Sequence, residues 1–214
     1  MSCTHCCGAD QLFDEKSAKK DLKRYLKKGA KKPTRLLVEA LKKHNLQGKS
    51  LLDIGGGIGP IPLELIPKGI SKVTDIDSSA SYINIAETEA IKRGYKEIIQ
   101  YQFGDFVDES KQIEMHDIVT LDKVICCYPH VGDLLKSSLS KAKKYYGIVY
   151  PQTNWLSRLW AKSINLGMWV KKNPFRTFIH PTELVDRTIL NAGFKKVSNI
   201  NHFLSWQIHL YEKI

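Results

Sequence analysis

The chain has 214 residues, of which 43% are hydrophobic, and it carries a formal net charge of +11. This length and composition are typical of one globular domain with a sizeable core, and they exclude a wholly disordered chain. No apolar run is long enough for a membrane span, and the polar, cysteine-bearing N-terminus does not resemble a signal peptide. The sequence therefore predicts a cytoplasmic protein.

Positive charge is concentrated near the N-terminus, where residues 16–49 contain 13 basic residues and two acidic ones. Clustered Lys and Arg can neutralise phosphates, so one interpretation is a nucleic-acid-binding face. The alternative is a solvated helix that packs inward through Leu22, Tyr25 and Leu26. The helix is favoured because the cluster lacks the interleaved aromatic residues on which bases stack.

The most informative segment is an apolar run over residues 51–54 that is followed by Gly55, Gly57, Gly59 and Pro60. Glycine reaches backbone angles closed to other residues and proline suits a first helical turn, so a strand turning sharply into a helix is predicted. Such a turn can hold a nucleotide-like ligand against bare backbone. The third glycine or alanine of the dinucleotide fingerprint is missing, which weakens an NAD-binding interpretation, and no Gly-Lys-Ser/Thr follows, which excludes a phosphate loop.

Three further β-type runs follow, and each leads into an acidic residue. The second run ends at Asp77, where a carboxylate can accept both protons of a ribose diol. The third run precedes Asp105 and Phe106, and the fourth ends at Asp122. Strands that alternate with predicted helices indicate a parallel sheet with helices on both faces. These three runs are residues 72–77, 98–103 and 117–122.

With these motifs in order, the sequence resembles the class I S-adenosylmethionine-dependent methyltransferases, whose first motif is read here at Asp53, Gly55, Gly57 and Gly59. The resemblance extends over residues 35–150. It implies an α/β, Rossmann-like, doubly wound seven-stranded sheet, mostly parallel with an antiparallel C-terminal hairpin. S-adenosyl-L-methionine is the implied cofactor. The chain is also loosely similar to the magnesium-protoporphyrin O-methyltransferase branch of this family.

The resemblance implies roles for individual residues as well. Asp105 would accept a hydrogen bond from the adenine amino group, Phe106 would flank the ring, and Asp122 would lie near the reactive end of the methyl donor. Arg35 would hold the methionine carboxylate, for which a planar guanidinium is suited, although a surface arginine explains its spacing equally well. The predicted cofactor-binding residues are Arg35, Asp53, Gly55, Gly57, Gly59, Asp77, Asp105, Phe106 and Asp122.

The five cysteines, an odd number in a chain without a secretion signal, argue against a disulfide framework. Cys3 and Cys6 have the spacing of metal ligands, and Cys126 and Cys127 would complete a zinc site if the N-terminus folded over them. The favoured alternative is a mobile tail and two buried thiols that behave as small apolar side chains. No metal is therefore predicted.

Residues 152–180 form an insertion that contains Trp155, Trp160 and Trp169, three of the four tryptophans. Apolar residues recur there at helical spacing with basic residues alongside, which predicts a mobile lid over an apolar substrate pocket. The alternatives are contact with a membrane surface and a face packed on its own domain. The predicted domains are a basic arm over residues 1–34 and a methyltransferase domain over residues 35–214.

The predicted activity is methyl transfer from S-adenosylmethionine to a small, apolar or aromatic acceptor. The sulfonium is already an activated donor, so alignment supplies much of the acceleration and a general base is optional. Tyr128, His130 and His180 are candidates for that base by position. The alternatives are an RNA methyltransferase that uses the basic arm and a non-catalytic module that binds the cofactor.

Overall fold

The sheet follows the predicted α/β topology. The computed structural model describes residues 4–203 and 205–214, with side chains from Gly8 onward. The strand order in these residues is β3-β2-β1-β4-β5-β7-β6, and every neighbouring pair is parallel except the two that involve β7. The predicted seven-stranded sheet with an antiparallel C-terminal hairpin is therefore confirmed. The strands are β1 (Ser50–Ile54), β2 (Lys72–Asp77), β3 (Ile99–Phe103), β4 (His116–Asp122), β5 (Ala142–Pro151), β6 (Phe194–His202) and β7 (Trp206–Lys213).

Helices cover both faces of this sheet because its central strands are apolar on both faces. In β1, Leu51 and Leu52 are fully buried and belong to different core clusters, as neighbouring side chains of a strand point to opposite faces. The helices in the described residues are α1 (Thr4–Leu12), α2 (Glu15–Lys28), α3 (Lys32–Leu41), α4 (Pro60–Leu65), α5 (Ala80–Lys92), α6 (Phe106–Glu109), α7 (Val131–Leu139), α8 (Trp155–Val170) and α9 (Thr182–Asn191). Helices α3, α4 and α5 contribute to one cluster, and α6, α7 and α9 to the other.

The N-terminal arm packs against the sheet domain through a third cluster. Ala18 and Tyr25 of α2 are buried there together with Tyr82 of α5. Leu26 was expected to face inward, but it is 57% exposed, because the buried side of α2 runs through Ala18 and Tyr25 and Leu26 is rotated about 100° from Tyr25. The lysines of α2 are largely exposed, as both interpretations of the basic cluster require.

Most predicted elements lie close to their observed bounds. Helix α5 is one of the helices that were predicted to alternate with the β-type runs, and β6 and β7 form the predicted antiparallel C-terminal hairpin. Helix α7 was not predicted from the sequence, although Leu134 and Leu135 in it are almost fully buried. Among the described residues, no helix combines the length and the apolar character that crossing a membrane requires.

Candidate functional site

A cavity of about 260 Å³ opens where the carboxyl ends of the parallel strands meet. This edge is the usual ligand site of a doubly wound sheet because successive strands end side by side there. The cavity brings together the four sequence segments predicted to form the site. Its lining includes Gly55 and Gly57 after β1, Asp77 at the end of β2, Asp105 and Phe106 after β3, and Asp122 at the end of β4.

The glycine turn after β1 depends on backbone angles that disfavour side chains. Gly55 and Gly57 have φ values of 65° and 61°, in the left-handed region. A Cβ atom on Gly55 would also overlap a methyl group of Val124, so the loop after β4 closes directly over the turn. Gly59, with φ 72°, precedes Pro60 at the start of α4 and does not line the cavity.

Asp77 joins the glycine turn to the start of α5. Its Oδ2 accepts a hydrogen bond from the Gly57 amide at 2.9 Å, and its Oδ1 accepts one from the Ser79 amide at 2.8 Å. Burial raises the pKa of Asp77 above its usual range, while these backbone hydrogen bonds oppose the rise. The carboxylate is therefore held at the cavity wall in a fixed orientation.

Asp105 and Tyr128 form a hydrogen-bonded pair in the cavity wall. Asp105 is 5% exposed and caps α6, since its Oδ1 accepts a hydrogen bond from the Val107 amide at 2.9 Å. The Tyr128 hydroxyl donates to Oδ1 and Oδ2 of Asp105 at 3.0 and 3.1 Å. Phe106, the first residue of α6, lines the cavity beside this pair.

Asp53 lies behind the glycine turn and not on the cavity wall. It is 1% exposed, and its Oδ1 accepts a hydrogen bond from the Thr120 hydroxyl at 2.6 Å. Burial raises the pKa of Asp53 to about 8. The neighbouring Asp75 of β2, which the sequence reasoning did not single out, is also buried, and no hydrogen-bond partner for its carboxyl oxygens lies in the described part of the chain.

The positive groups at the cavity differ from the arginine that the sequence suggested. Arg35 is exposed on α3, with its Nε 3.9 Å from Glu39 Oε1, and it does not line the cavity. Lys31 and Lys123 do line it, and Arg24 lines an adjoining recess of about 130 Å³. The Nε atom of Arg24 is buried, and no described residue accepts a hydrogen bond from it.

Lys123 is bound to the acid that precedes it. Its Nζ donates to Oδ1 of Asp122 at 2.7 Å and to Thr34 Oγ1 at 2.7 Å. The Thr34 hydroxyl in turn donates to Oδ2 of Asp122 at 2.6 Å. The carboxylate of Asp122 is therefore partly neutralised where the glycine turn, the end of β4 and the start of α3 meet.

Of the three candidate general bases, Tyr128 alone is among the residues described along the cavity wall. His130 is exposed at the start of α7. Nε2 of His180 donates to the Tyr128 carbonyl oxygen at 3.1 Å, and burial lowers the pKa of His180. Both histidines therefore lie outside the lining, and His180 supports the backbone of Tyr128.

The cysteine pair after β4 lies beside the cavity. The Sγ atoms of Cys126 and Cys127 are 3.7 Å apart, and Cys127 lines the cavity. Cys3 and the side chain of Cys6 lie outside the described residues, so the zinc-site alternative stays untested. Within residues 8–203 and 205–214, no three metal-binding side chains cluster as a metal site requires.

The second half of the predicted lid region contacts the loop after β4 and helix α1. The Phe178 amide donates to the Cys126 carbonyl at 2.7 Å, and Asn173 Nδ2 donates to the Gly8 carbonyl of α1 at 3.2 Å. The strap of residues 173–178 thus connects α1 to the loop after β4. Residues 152–180, all of them described, contribute no side chain to the cavity lining, and whether they move stays a prediction.

Comparison with known proteins agrees with this architecture. Residues 22–199 match the profile of a family described as a methyltransferase domain. The chain therefore belongs to this family, the class I S-adenosylmethionine-dependent methyltransferases, and S-adenosyl-L-methionine is its cofactor. No curated protein matched the chain.

Solved structures share the fold at low sequence identity. Magnesium protoporphyrin IX methyltransferase from Synechocystis PCC 6803 with bound SAH is 15% identical, with a TM-score of 0.66 over 85% of this chain and 82% of that one. A putative S-adenosylmethionine-dependent methyltransferase from Listeria monocytogenes gives 15% identity and a TM-score of 0.67, over 85% and 98% of the two chains. An O-methyltransferase family 2 protein from Planctomyces limnophilus in complex with apigenin gives 18% and 0.62, over 85% and 62%.

Proposed function

We propose that this methyltransferase transfers a methyl group to a small apolar or aromatic acceptor, with S-adenosylmethionine bound across the carboxyl ends of β1, β2, β3 and β4. The observation that carries the proposal is the convergence of Asp77, the Asp105–Phe106 corner and the glycine turn on one cavity. A corner suited to adenine, a carboxylate suited to a ribose diol and exposed backbone all line this one cavity.

The two acids act on different parts of the cofactor. Asp77 accepts hydrogen bonds from the ribose hydroxyls, because its two oxygens are fixed at the cavity wall by the Gly57 and Ser79 amides. Asp105 accepts from the adenine amino group, and Phe106 packs against the ring. Asp53 supports the turn from behind, since it is buried and bonded to Thr120.

The methionine end of the cofactor lies at the positive side of the cavity. In place of Arg35, Arg24 and Lys31 hold the methionine carboxylate. Arg24 lines the recess and has a buried Nε with no acceptor among the described residues, and Lys31 lines both the recess and the cavity. Asp122, at the junction of the two spaces, takes the ammonium group. This arrangement directs the sulfonium toward the loop after β4.

The acceptor lies beside that loop. Val124, Cys127 and Tyr128 line this part of the cavity, and Phe13, directly after α1, contributes an aromatic ring. Such a lining favours an apolar or aromatic molecule over a charged one. A neighbour of the same fold, the Planctomyces limnophilus protein, was solved with apigenin, which supports a planar acceptor. Alignment of the acceptor with the methyl group supplies the acceleration, and Tyr128 is the side chain placed to assist a proton transfer.

Cofactor placement is tested by calorimetry with S-adenosylhomocysteine and NADH. The parent should bind S-adenosylhomocysteine and not NADH, and Asp77→Ala should weaken that binding by about 1–3 kcal/mol as charge-assisted hydrogen bonds are lost. Glu97→Ala, at an exposed acid outside the cavity, should bind like the parent. NADH binding without S-adenosylhomocysteine binding would sink the proposal.

The acceptor class is tested with labelled cofactor and fractionated cell extract, with and without nuclease. A labelled product that survives nuclease and partitions into organic solvent is expected. One observation favours the alternative of an RNA acceptor, because Lys31 of the basic arm borders the cavity. Label that becomes acid-soluble after nuclease treatment would establish that alternative and overturn a small acceptor.

A further inference from the structure

Helix α8 turns a row of large apolar side chains toward solvent. Trp155, Leu159, Leu166 and Trp169 are 75%, 54%, 62% and 67% exposed. They follow one another at intervals of four, seven and three residues, which places them on one side of a helix. We call this set, together with Val170, the outer face of α8; Val170 is 68% exposed.

The opposite side of α8 fixes the helix on the domain. Ser157 and Ala161 are 4% and 6% exposed and face the protein. Trp160, at the margin of the outer face, meets Trp206 of β7 edge-on at a centroid distance of 6.2 Å. Asn165 also accepts from the Thr177 amide at 2.7 Å through its Oδ1. The outward direction of the apolar row is therefore built into the packing of the helix.

A row of this kind needs a partner, because soluble proteins rarely leave contiguous large apolar side chains in water. The helix has 16 residues and is about 24 Å long at 1.5 Å per residue. A tryptophan lies near each end of the outer face, and indole prefers the boundary between hydrocarbon and water. The pattern suits a helix that lies flat in the interfacial layer of a membrane.

The charged residues around α8 favour a membrane with anionic lipids. Lys162 lies within the outer face, Arg158 lies beside it, and Lys171 and Lys172 follow at the end of the helix. Residues 155–172 contain no acidic residue. Basic side chains beside an apolar row attract anionic headgroups. Two copies of this chain would instead bring like charges together, each molecule carrying a net charge of +11.

We propose that the outer face of α8 docks this protein on an anionic lipid bilayer, with Trp155, Leu159, Leu166 and Trp169 inserted at the headgroup boundary. Docking would also bring the lipid surface near the cavity, since the strap of residues 173–178 runs from the end of α8 to α1 and Cys126. A bilayer is where an apolar acceptor concentrates. The docking itself does not depend on the acceptor's identity.

The experiment is flotation of the full chain with vesicles of phosphatidylcholine alone and with about 30% phosphatidylglycerol. The parent should float with the anionic vesicles, less so at high salt, and its tryptophan emission should shift to the blue. The double variant Trp155→Gln, Trp169→Gln should lose about tenfold or more of this binding. Ile91→Gln, at an apolar residue of α5 that is 49% exposed, is the matched control and should bind like the parent.

Three outcomes of the flotation experiment would overturn the docking proposal. The first is that the parent does not float with anionic vesicles, and the second is that the double variant floats as well as the parent. The third is that the parent binds no vesicles but forms a dimer in solution, and that the double variant is a monomer. The last would make the outer face an interface between two copies. Calorimetry with S-adenosylhomocysteine monitors folding, because every variant should retain parental cofactor affinity. If the protein fails to bind vesicles but still binds S-adenosylhomocysteine, the docking proposal is wrong and the proposed cofactor site is unaffected. The two proposals can therefore fail independently.

Hydrogen exchange separates docking from the lid prediction. A lid would gain protection over residues 152–180 when cofactor and acceptor are added. A docked helix would gain protection over Trp155–Val170 when anionic vesicles are added, with or without cofactor. Protection of α8 by cofactor alone, with no response to vesicles, would overturn the docking proposal in favour of a lid.

Discussion

The hydroxyl of Tyr128 donates hydrogen bonds to both carboxyl oxygens of Asp105, at 3.0 and 3.1 Å. Asp105 is therefore oriented from two sides, by Tyr128 and by the Val107 amide that it caps. In the proposed complex, both donors stay in place while Asp105, which lines the cavity, accepts a hydrogen bond from the adenine amino group. The orientation of Asp105, the acid that we propose binds adenine, thus depends on a residue from the loop after β4.

Tyr128→Phe should weaken S-adenosylhomocysteine binding by about 1–2 kcal/mol, because a hydrogen bond to a charged group is lost and Asp105 is freed to rotate. Calorimetry measures this change. The effect should appear in cofactor affinity before any acceptor is added. Unchanged cofactor affinity with a reduced kcat would instead assign Tyr128 to proton transfer from the acceptor.

The variants Arg24→Ala and Arg35→Ala should differ in their affinity for S-adenosylhomocysteine. The first should weaken S-adenosylhomocysteine binding by about 1–3 kcal/mol, since a charge-assisted hydrogen bond to the carboxylate is lost. The second should leave binding unchanged, because Arg35 faces solvent beside Glu39. Methylthioadenosine, which lacks the amino-acid group, should bind both variants like the parent. If Arg35→Ala weakened binding and Arg24→Ala did not, Arg35 would be the residue that holds the methionine carboxylate of the cofactor.

The sequence predicted the glycine turn, Asp77, Asp105 and Asp122 as parts of one site because the carboxyl ends of neighbouring parallel strands share an edge. It could not predict which basic residue faces that site. Thr34 is 2% exposed and bonds to Asp122, whereas Arg35, the next residue on the same helix, is rotated by about 100° to solvent. The rotation of α3 about its axis and the packing of α2 determine which basic residue lies at the cavity.

The sequence also could not predict that Asp53 and Asp75 are buried. Asp53 belongs to the family motif, but its position behind the turn depends on Thr120 of the adjacent strand. Nothing in the sequence distinguishes Asp75 from other acidic residues in strands, because its contact with Gly56 arises only in the fold. The outer face of α8 was predictable as an apolar helix face, whereas its direction, away from the cavity, follows from packing through Ser157 and Ala161.

Gly56→Ala should destabilise the fold by about 1–3 kcal/mol, because a Cβ atom there would overlap both carboxyl oxygens of Asp75. Gly132→Ala is the control, since nothing lies within 4 Å of a Cβ atom at that helical position. It should stabilise the protein by about 0.5–1 kcal/mol. Urea unfolding measures both. Adding Asp75→Ala to Gly56→Ala should relieve part of the loss, and strict additivity would contradict the overlap.

Asp53 should make stability fall as pH rises. Its pKa is raised by burial from the usual 3.8 to about 8, so the folded state binds a proton that the unfolded chain releases. The contribution to stability is therefore complete below about pH 4 and is lost progressively up to about pH 8. Burial lowers the pKa of His209 to about 4, which gives the opposite slope between about pH 4 and pH 6.5.

Because these slopes oppose each other, the measurement compares Asp53→Asn with the parent and does not rely on the parent alone. The asparagine keeps an oxygen that accepts from the Thr120 hydroxyl, and it does not titrate. Urea unfolding at about pH 5 and about pH 8 should show the variant gaining stability relative to the parent as pH rises. A constant difference for Asp53→Asn across this pH range would mean that Asp53 is ionised in the folded protein.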